Sequence, residues 1–166
     1  MEELLADLSA RELEEKQPIL EELQKLYQEQ PDETTALIYA KGLFNLTLAQ
    51  DLSGREQTVE RLANLSSQFP ADSSIALAYA KGLVNLTVDQ NLEGREQTVE
   101  RLANLSSRFP ADSAIALRYA KGLYNLTLAQ DLSGREQTVE RLANLSSQFP
   151  ADSSIALAYA KGLVNL

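Results

Sequence analysis

From Ile75 onward, apolar residues fall at Ile75, Tyr79, Leu83 and Leu86, with Ala76, Ala80 and Gly82 beside them. Upstream they fall at Val59, Leu62, Leu65 and Phe69, with Glu56, Glu60, Asn64 and Gln68 on the other side. Steps of three and four keep residues on one face of a 3.6-residue turn, so both segments are predicted to be amphipathic α-helices. The small residues of the Ile75 helix offer a surface that a neighbouring helix can approach closely. Asp72 stands just ahead of that helix, after Pro70, in the position of an N-cap that accepts from backbone N–H groups lacking intrahelical partners. Ser53 and Glu56 have the S-x-x-E spacing of a capping box and are expected to open the other helix after a turn at Ala49–Leu52. Glu93 replaces that serine in the following copy, which predicts a weaker box there.

The whole pattern returns every forty residues. Tyr39, Tyr79, Tyr119 and Tyr159 keep that spacing, as do Gly42, Gly82, Gly122 and Gly162, and Pro70, Pro110 and Pro150. Thr47–Leu86 is identical to Thr127–Leu166, and the intervening unit Thr87–Leu126 differs from it at eight of its forty positions. A pair of helices of this length cannot bury both apolar stripes on each other, so each pair requires a neighbour. The expected fold is all-α, a right-handed α-solenoid of stacked antiparallel helix hairpins. Residues 1–33 form an acidic N-terminal cap and residues 34–166 one continuous array. Within the cap, Leu20, Leu23 and Leu26 before Pro31 repeat the stripe of Val59, Leu62 and Leu65 before Pro70. Met1–Leu8 is expected to form a short leading helix, with Ser9 and Glu12 as a further capping box.

Charge sharpens this division. Up to Glu33 the chain has eleven acids and three bases, and thereafter thirteen acids and twelve bases, so the net charge of −9 resides almost wholly in the cap. The nearly neutral array lacks the basic footprint that phosphate neutralisation needs, which argues against nucleic acid as a partner. A composition of 44% apolar and 23% charged residues is that of an ordinary folded chain. Histidine and cysteine are absent, removing disulfides, Cys/His zinc sites and histidine-dependent catalysis. No apolar run approaches the roughly 18 residues of a membrane span, and the acidic N-terminus is unlike a secretion signal. The expectation is therefore a cytoplasmic protein with no membrane contact, no cofactor, no metal and no enzymatic activity. The Asn-Leu-Thr and Asn-Leu-Ser triplets match the glycosylation sequon but lie inside predicted helices and are read as helix positions.

The segment TVERLANLSSQFPADSSIALAYA, Thr58–Ala80, resembles the junction of a tetratricopeptide repeat, where an amphipathic helix ends at a proline turn and the next begins at an acidic cap. Leu62, Leu65, Pro70 and Ala80 fall at that family's aromatic, second small residue, proline and glycine. Thr58 and Ala76 stand at its alanine and tryptophan positions, and the period exceeds the usual 34 residues by six. The resemblance covers the chain from about Lys16 onward. It implies a superhelix whose first helices line a concave groove for extended peptides.

Lys81 and Asn85, four residues apart, form the polar strip of such a first helix, with Ser74 nearby. The strip recurs as Lys41/Asn45, Lys121/Asn125 and Lys161/Asn165, and Arg118 adds a second cation in the third unit. With helices about 8–10 Å apart, one lysine serves roughly three residues of an extended peptide. Asparagine can bond backbone amides and lysine a carboxylate, so acidic or carboxylate-ended peptides are the expected partners. Phe44, Val84, Tyr124 and Val164 form an apolar slot of changing size beside the strip. A solvated strip with no ligand is the competing reading, in a purely structural or engineered array. The chain stops at Leu166, after the first helix of a pair, and is expected to be a truncated array ending on an unpaired half-repeat. Ile155, Tyr159, Leu163 and Val164 would then lack cover, and a homodimer through that end is the expectation.

Overall fold

The computed structural model describes Glu3 and residues 13–166. Apart from Glu3, the leading helix expected over Met1–Leu8 and the Ser9/Glu12 box lie outside the described residues. Eight helices and no strand occur among the described residues: α1 (Leu13–Glu29), α2 (Glu33–Thr47), α3 (Leu52–Gln68), α4 (Ser73–Asp89), α5 (Leu92–Arg108), α6 (Ser113–Thr127), α7 (Leu132–Gln148) and α8 (Ser153–Val164). They form a helical repeat in which α3, α5 and α7 share one sequence pattern and α2, α4, α6 and α8 the other. The 17-residue α1 aligns along its full length with α3.

Aspartates start the even-numbered helices as the pattern predicts. Asp72 Oδ1 accepts from the N–H groups of Ser74 and Ile75 at 2.8 and 2.9 Å. Asp152 does the same at 3.0 and 3.1 Å, and Asp112 accepts from Ile115 at 3.1 Å. Asp32 and Thr35 form a reciprocal capping box.

The Ser53 expectation is corrected. The N-cap of α3 is Asp51, whose carboxylate accepts from Gly54 N–H at 2.9 Å, and Ser53 lies within the first turn. Asn91 and Asp131 cap α5 and α7 in the same way on Gly94 and Gly134. An Asp or Asn side chain at N-cap reaches the third helical N–H directly, so replacing Ser53 by Glu93 leaves that cap intact.

The chain divides into two compact units, Met1–Asn85 and Leu86–Leu166, each with its own core. In the first, α2 packs between α1 and α3, burying Leu20, Leu23, Ala36, Ala40, Leu43, Val59 and Leu62 almost completely. In the second, α5, α6, α7 and α8 pack in succession and α6 also lies against α8, so helices of the same type one repeat apart touch directly. Their shared core joins Val99, Ala116, Ala120, Leu123, Leu126, Leu142, Leu145, Ile155 and Ala158.

Close approach depends on the glycine of each even-numbered helix from α4 onward. A Cβ at Gly82 would come within 2.9 Å of Leu62 Cδ1, at Gly122 within 2.5 Å of Leu102 Cδ1, and at Gly162 within 2.8 Å of Leu142 Cδ1. Any side chain there would require the facing leucine to shift.

Candidate functional site

The four asparagines of the expected strip are partly buried, and each side chain donates a hydrogen bond within the chain. Asn85 Nδ2 donates to Thr47 Oγ1 at 2.9 Å, Asn125 Nδ2 to Thr87 Oγ1 at 2.8 Å and Asn165 Nδ2 to Thr127 Oγ1 at 2.9 Å. Asn45 Nδ2 instead donates to Lys41 O at 3.3 Å. Thr47, Thr87 and Thr127 are fully buried. The hydroxyls of Thr47 and Thr127 each donate to the carbonyl three residues back, at 2.6 Å, while accepting from the amide of the next repeat. The backbone of the same asparagine is held as well. Arg95 Nη1 donates to Asn125 O at 2.7 Å and Arg135 Nη1 to Asn165 O at 2.9 Å; Arg55 reaches Asn85 O at 3.4 Å. In α1 the aligned residue is Lys16, buried to 4% exposure, and its Nζ donates to Asn45 O at 3.4 Å.

These contacts make a polar rung between consecutive even-numbered helices, and the rung was not foreseen. Its sequence signal is the joint recurrence of Thr47, Arg55 and Asn85 at the forty-residue period. Buried polar atoms require partners, and here the partners come from different repeats.

The cations are arranged differently. In the first unit Lys81 Nζ lies 5.5 Å from the centroid of the Phe44 ring, and Lys41 is exposed. In the second, Lys161 Nζ lies 5.8 Å from the Tyr124 centroid. These lysines therefore sit over the aromatic members of the variable slot, in cation–π geometry. Val84 is partly buried, and Val164 is 85% exposed.

Between α6 and α8 a hollow of about 260 Å³ is lined by Lys121, Tyr124, Ser154, Leu157, Ala158 and Lys161. Loss of hydration, then repulsion from Arg118 and Lys161, holds the Lys121 ammonium below the usual lysine pKa. Burial also lowers the Arg118 pKa, and its Nε is buried without a hydrogen-bond partner. Arg118, Lys121 and Lys161 pair with no carboxylate among the described residues. The hollow thus sets a partly desolvated cation cluster beside an apolar wall, an arrangement with room for an anionic group attached to an apolar one. Ser154, Leu157 and Ala158 belong to this site and were missed as lining residues, because Ala158 and Leu157 read as ordinary helix positions.

The four residues expected to lack cover divide. Ile155 is fully buried in the core of the second unit, which removes it from any exposed surface, and Tyr159 is partly buried against that core. Leu163 and Val164 are 45% and 85% exposed, and Leu157 and Leu166 join them as exposed large apolar residues.

No helix of the described residues is long and apolar enough to cross a membrane. Among the same residues no cluster of three or more His, Cys, Asp or Glu side chains could hold a metal ion. No protein family, curated protein or solved structure matches the chain.

Proposed function

We propose that the chain is a non-catalytic protein-interaction scaffold that binds extended acidic peptides along the even-numbered helices. Its helices would form antiparallel hairpins in a right-handed, tetratricopeptide-like α-solenoid, and the peptide would lie on the concave side. The hollow bounded by Lys121, Tyr124, Leu157 and Lys161 carries this reading, because it combines unpaired positive charge with an apolar wall. In it, Lys121 and Lys161 would meet carboxylates, side-chain or C-terminal, with Arg118 adding charge beside Lys121, and Tyr124 and Leu157 would take an apolar neighbour. Lys81 with Phe44 offers a second cation and ring in the first unit, and Lys41 a third cation. Asn45, Asn85 and Asn125 retain a free acceptor oxygen, but their main contribution is to hold the helices that present the lysines. The role needs no cofactor, and the near neutrality of the chain beyond Glu33 disfavours nucleic acid.

The test is fluorescence anisotropy with labelled hexapeptides that alternate Glu and Leu, titrated into the intact chain. Saturable binding that weakens with salt is expected, because phosphate-free acidic ligands are held here by charge. Replacing Lys121 and Lys161 by Gln should weaken it at least tenfold while leaving the melting temperature within a few degrees. Binding indifferent to both substitutions, or no binding at all, would rule the groove out.

A second reading concerns α8. Ala156, Ala160, Leu163 and Leu166 are exposed, whereas the residues at the same positions of α6 are buried. None of these four side chains is charged, so two copies of the 166-residue chain can pair through them without side-chain repulsion. Light scattering should give a mass that rises toward a dimer with concentration and falls back when Leu163 is replaced by Lys.

A further inference from the structure

The second unit contains a larger hollow, about 430 Å³, that the peptide groove does not use. Ala103, Ser106, Ser107 and Pro110 at the end of α5 and just beyond it, Tyr119 of α6, and Arg141, Asn144, Leu145 and Gln148 of α7 enclose it. Tyr119 and Tyr124 are five residues apart, about 140° around the helix, so the two hollows open on different sides of α6. Arg141 is fixed over the Tyr119 ring, 5.4 Å from Cζ to the centroid, with Nε donating to the phenol oxygen at 2.8 Å and Nη2 paired with Glu100 at 2.8 Å.

The first unit contains the same arrangement with the space filled. Tyr39, Arg61 and Gln68 there correspond by two periods to Tyr119, Arg141 and Gln148. Arg61 again lies over the ring, 5.5 Å from the Tyr39 centroid, and again bonds its hydroxyl. The neighbouring helix is now α1, in which Gln24 and Tyr27 align with Ala103 and Ser106 of α5. Tyr27 stacks on Tyr39 at 5.7 Å between centroids and 19° between planes, and its hydroxyl donates to Gln68 Oε1 at 2.6 Å. Gln24 Oε1 accepts from Arg61 at 2.7 Å. Tyr39 is buried to 5% exposure with Tyr27 stacked on it, while Tyr119 stays partly exposed. The molecule thus displays, in its own first repeat, an occupant that suits this set of walls.

We propose that the hollow between α5, α6 and α7 is a binding site for the p-hydroxyphenyl group of a tyrosine side chain on a partner peptide. The ring would stack on Tyr119 beneath Arg141, and its hydroxyl would donate to Gln148 Oε1, as Tyr27 does to Gln68. Aromatic stacking supplies most of the attraction and the single hydroxyl bond supplies the preference for tyrosine over phenylalanine. The pocket volume lies within the ordinary range for sites that enclose a side-chain-sized ligand.

The site is independent of the peptide groove, and its test uses different probes. p-Cresol, toluene and the blocked tripeptide acetyl-Gly-Tyr-Gly-amide would be titrated into the intact chain and followed through the Tyr119 ring resonances by NMR. p-Cresol and the tripeptide should give saturable shifts, with toluene about fivefold to tenfold weaker. Ala103→Gln with Ser106→Tyr copies the filled first unit, so it should abolish the response and raise the melting temperature. Gln148→Leu, a milder change on an exposed side chain, should erase the preference of p-cresol over toluene. Non-saturating shifts, equal affinity for p-cresol and toluene in the unaltered chain, or an unchanged response in the filled variant would each overturn the proposal. Binding of p-cresol without the tripeptide would overturn the peptide as its source.

Discussion

Helices α6 and α8 carry the same fourteen-residue sequence except at three positions, yet one face of it has opposite surroundings in the two. In α6, Ala116, Ala120 and Leu123 are fully buried and Leu126 is 2% exposed, because α7 and α8 close over them. In α8 the corresponding Ala156, Ala160, Leu163 and Leu166 are exposed, Leu163 to 45% and Leu166 to 49%. Another face of α8 is buried through Ile155, Ala158 and Gly162, and Ile115 and Gly122 are buried at the matching places in α6. A repeat of this kind therefore has no stability of its own to quote. It has half a core facing backward and half facing forward, and the forward half counts only when something lies on it.

The largest effect follows directly. Leu123→Ala should cost about 3 kcal/mol, within the 2–5 kcal/mol range for truncating a buried leucine, whereas Leu163→Ala should cost less than about 1 kcal/mol. Urea denaturation of both variants measures the pair. Comparable losses would mean that α8 is covered in solution, and that outcome would join the self-association reading. Appending one further copy of Thr127–Leu166 beyond Leu166 sharpens the comparison. It should raise the cost of Leu163→Ala to that of Leu123→Ala without altering the latter.

The next effect concerns the polar rungs. Asn125→Ala removes the part-buried hydrogen bond that its amide donates to Thr87 Oγ1, which should cost about 1 kcal/mol. Asn165→Ala removes the same bond to Thr127, but Asn165 is the C-cap of α8 and not a residue inside a helix, so its loss should be about half as large. Denaturant midpoints would show the order. Equal values would mean that the last rung is as rigid as the one before it.

The rungs also show what could and could not be read from sequence. The helices and the aspartate caps of α2, α4, α6 and α8 were legible because each is written in residues within a turn or two of one another, and the forty-residue period because the residues recur along the chain. The rungs were not, since Thr87 and Asn125 stand 38 positions apart and each alone resembles a surface residue. Asparagine at the strip was read as a peptide contact for that reason. Ser53 was given the cap because S-x-x-E is a stronger pattern than a lone Asp51, although the carboxylate of Asp51 is the group within reach. The lysine strip was legible as a strip. That Lys161 lies over Tyr124 and that Leu157 forms a wall beside them required the contact between α6 and α8. The filled and open versions of the Tyr39 and Tyr119 pockets differ by Tyr27 against Ser106, a difference visible only after α1 is aligned residue by residue with the repeat.

The smallest effect bears most on the groove. Phe44 with Lys81 and Tyr124 with Lys161 have nearly the same geometry, at 5.5 and 5.8 Å, although Lys81 is partly buried and Lys161 exposed. An exposed cation–π pair contributes about 0.5–1 kcal/mol and a more desolvated one more, so Phe44→Val should cost more stability than Tyr124→Val. Tyr124→Val reproduces the valine found at positions 84 and 164 and should cost about 0.5–1 kcal/mol. The informative signal is local. The ε-methylene protons of Lys161 should lose a ring-current shift in Tyr124→Val, and the acidic hexapeptide should bind more weakly because the apolar wall has gone. If the shift disappears while peptide affinity is unchanged, the ring serves to position Lys161 in the free chain and the peptide reads charge alone. If affinity falls with it, Tyr124 is part of the recognition surface, and the alternation of aromatic and valine along the slot becomes a register that a peptide side chain can match.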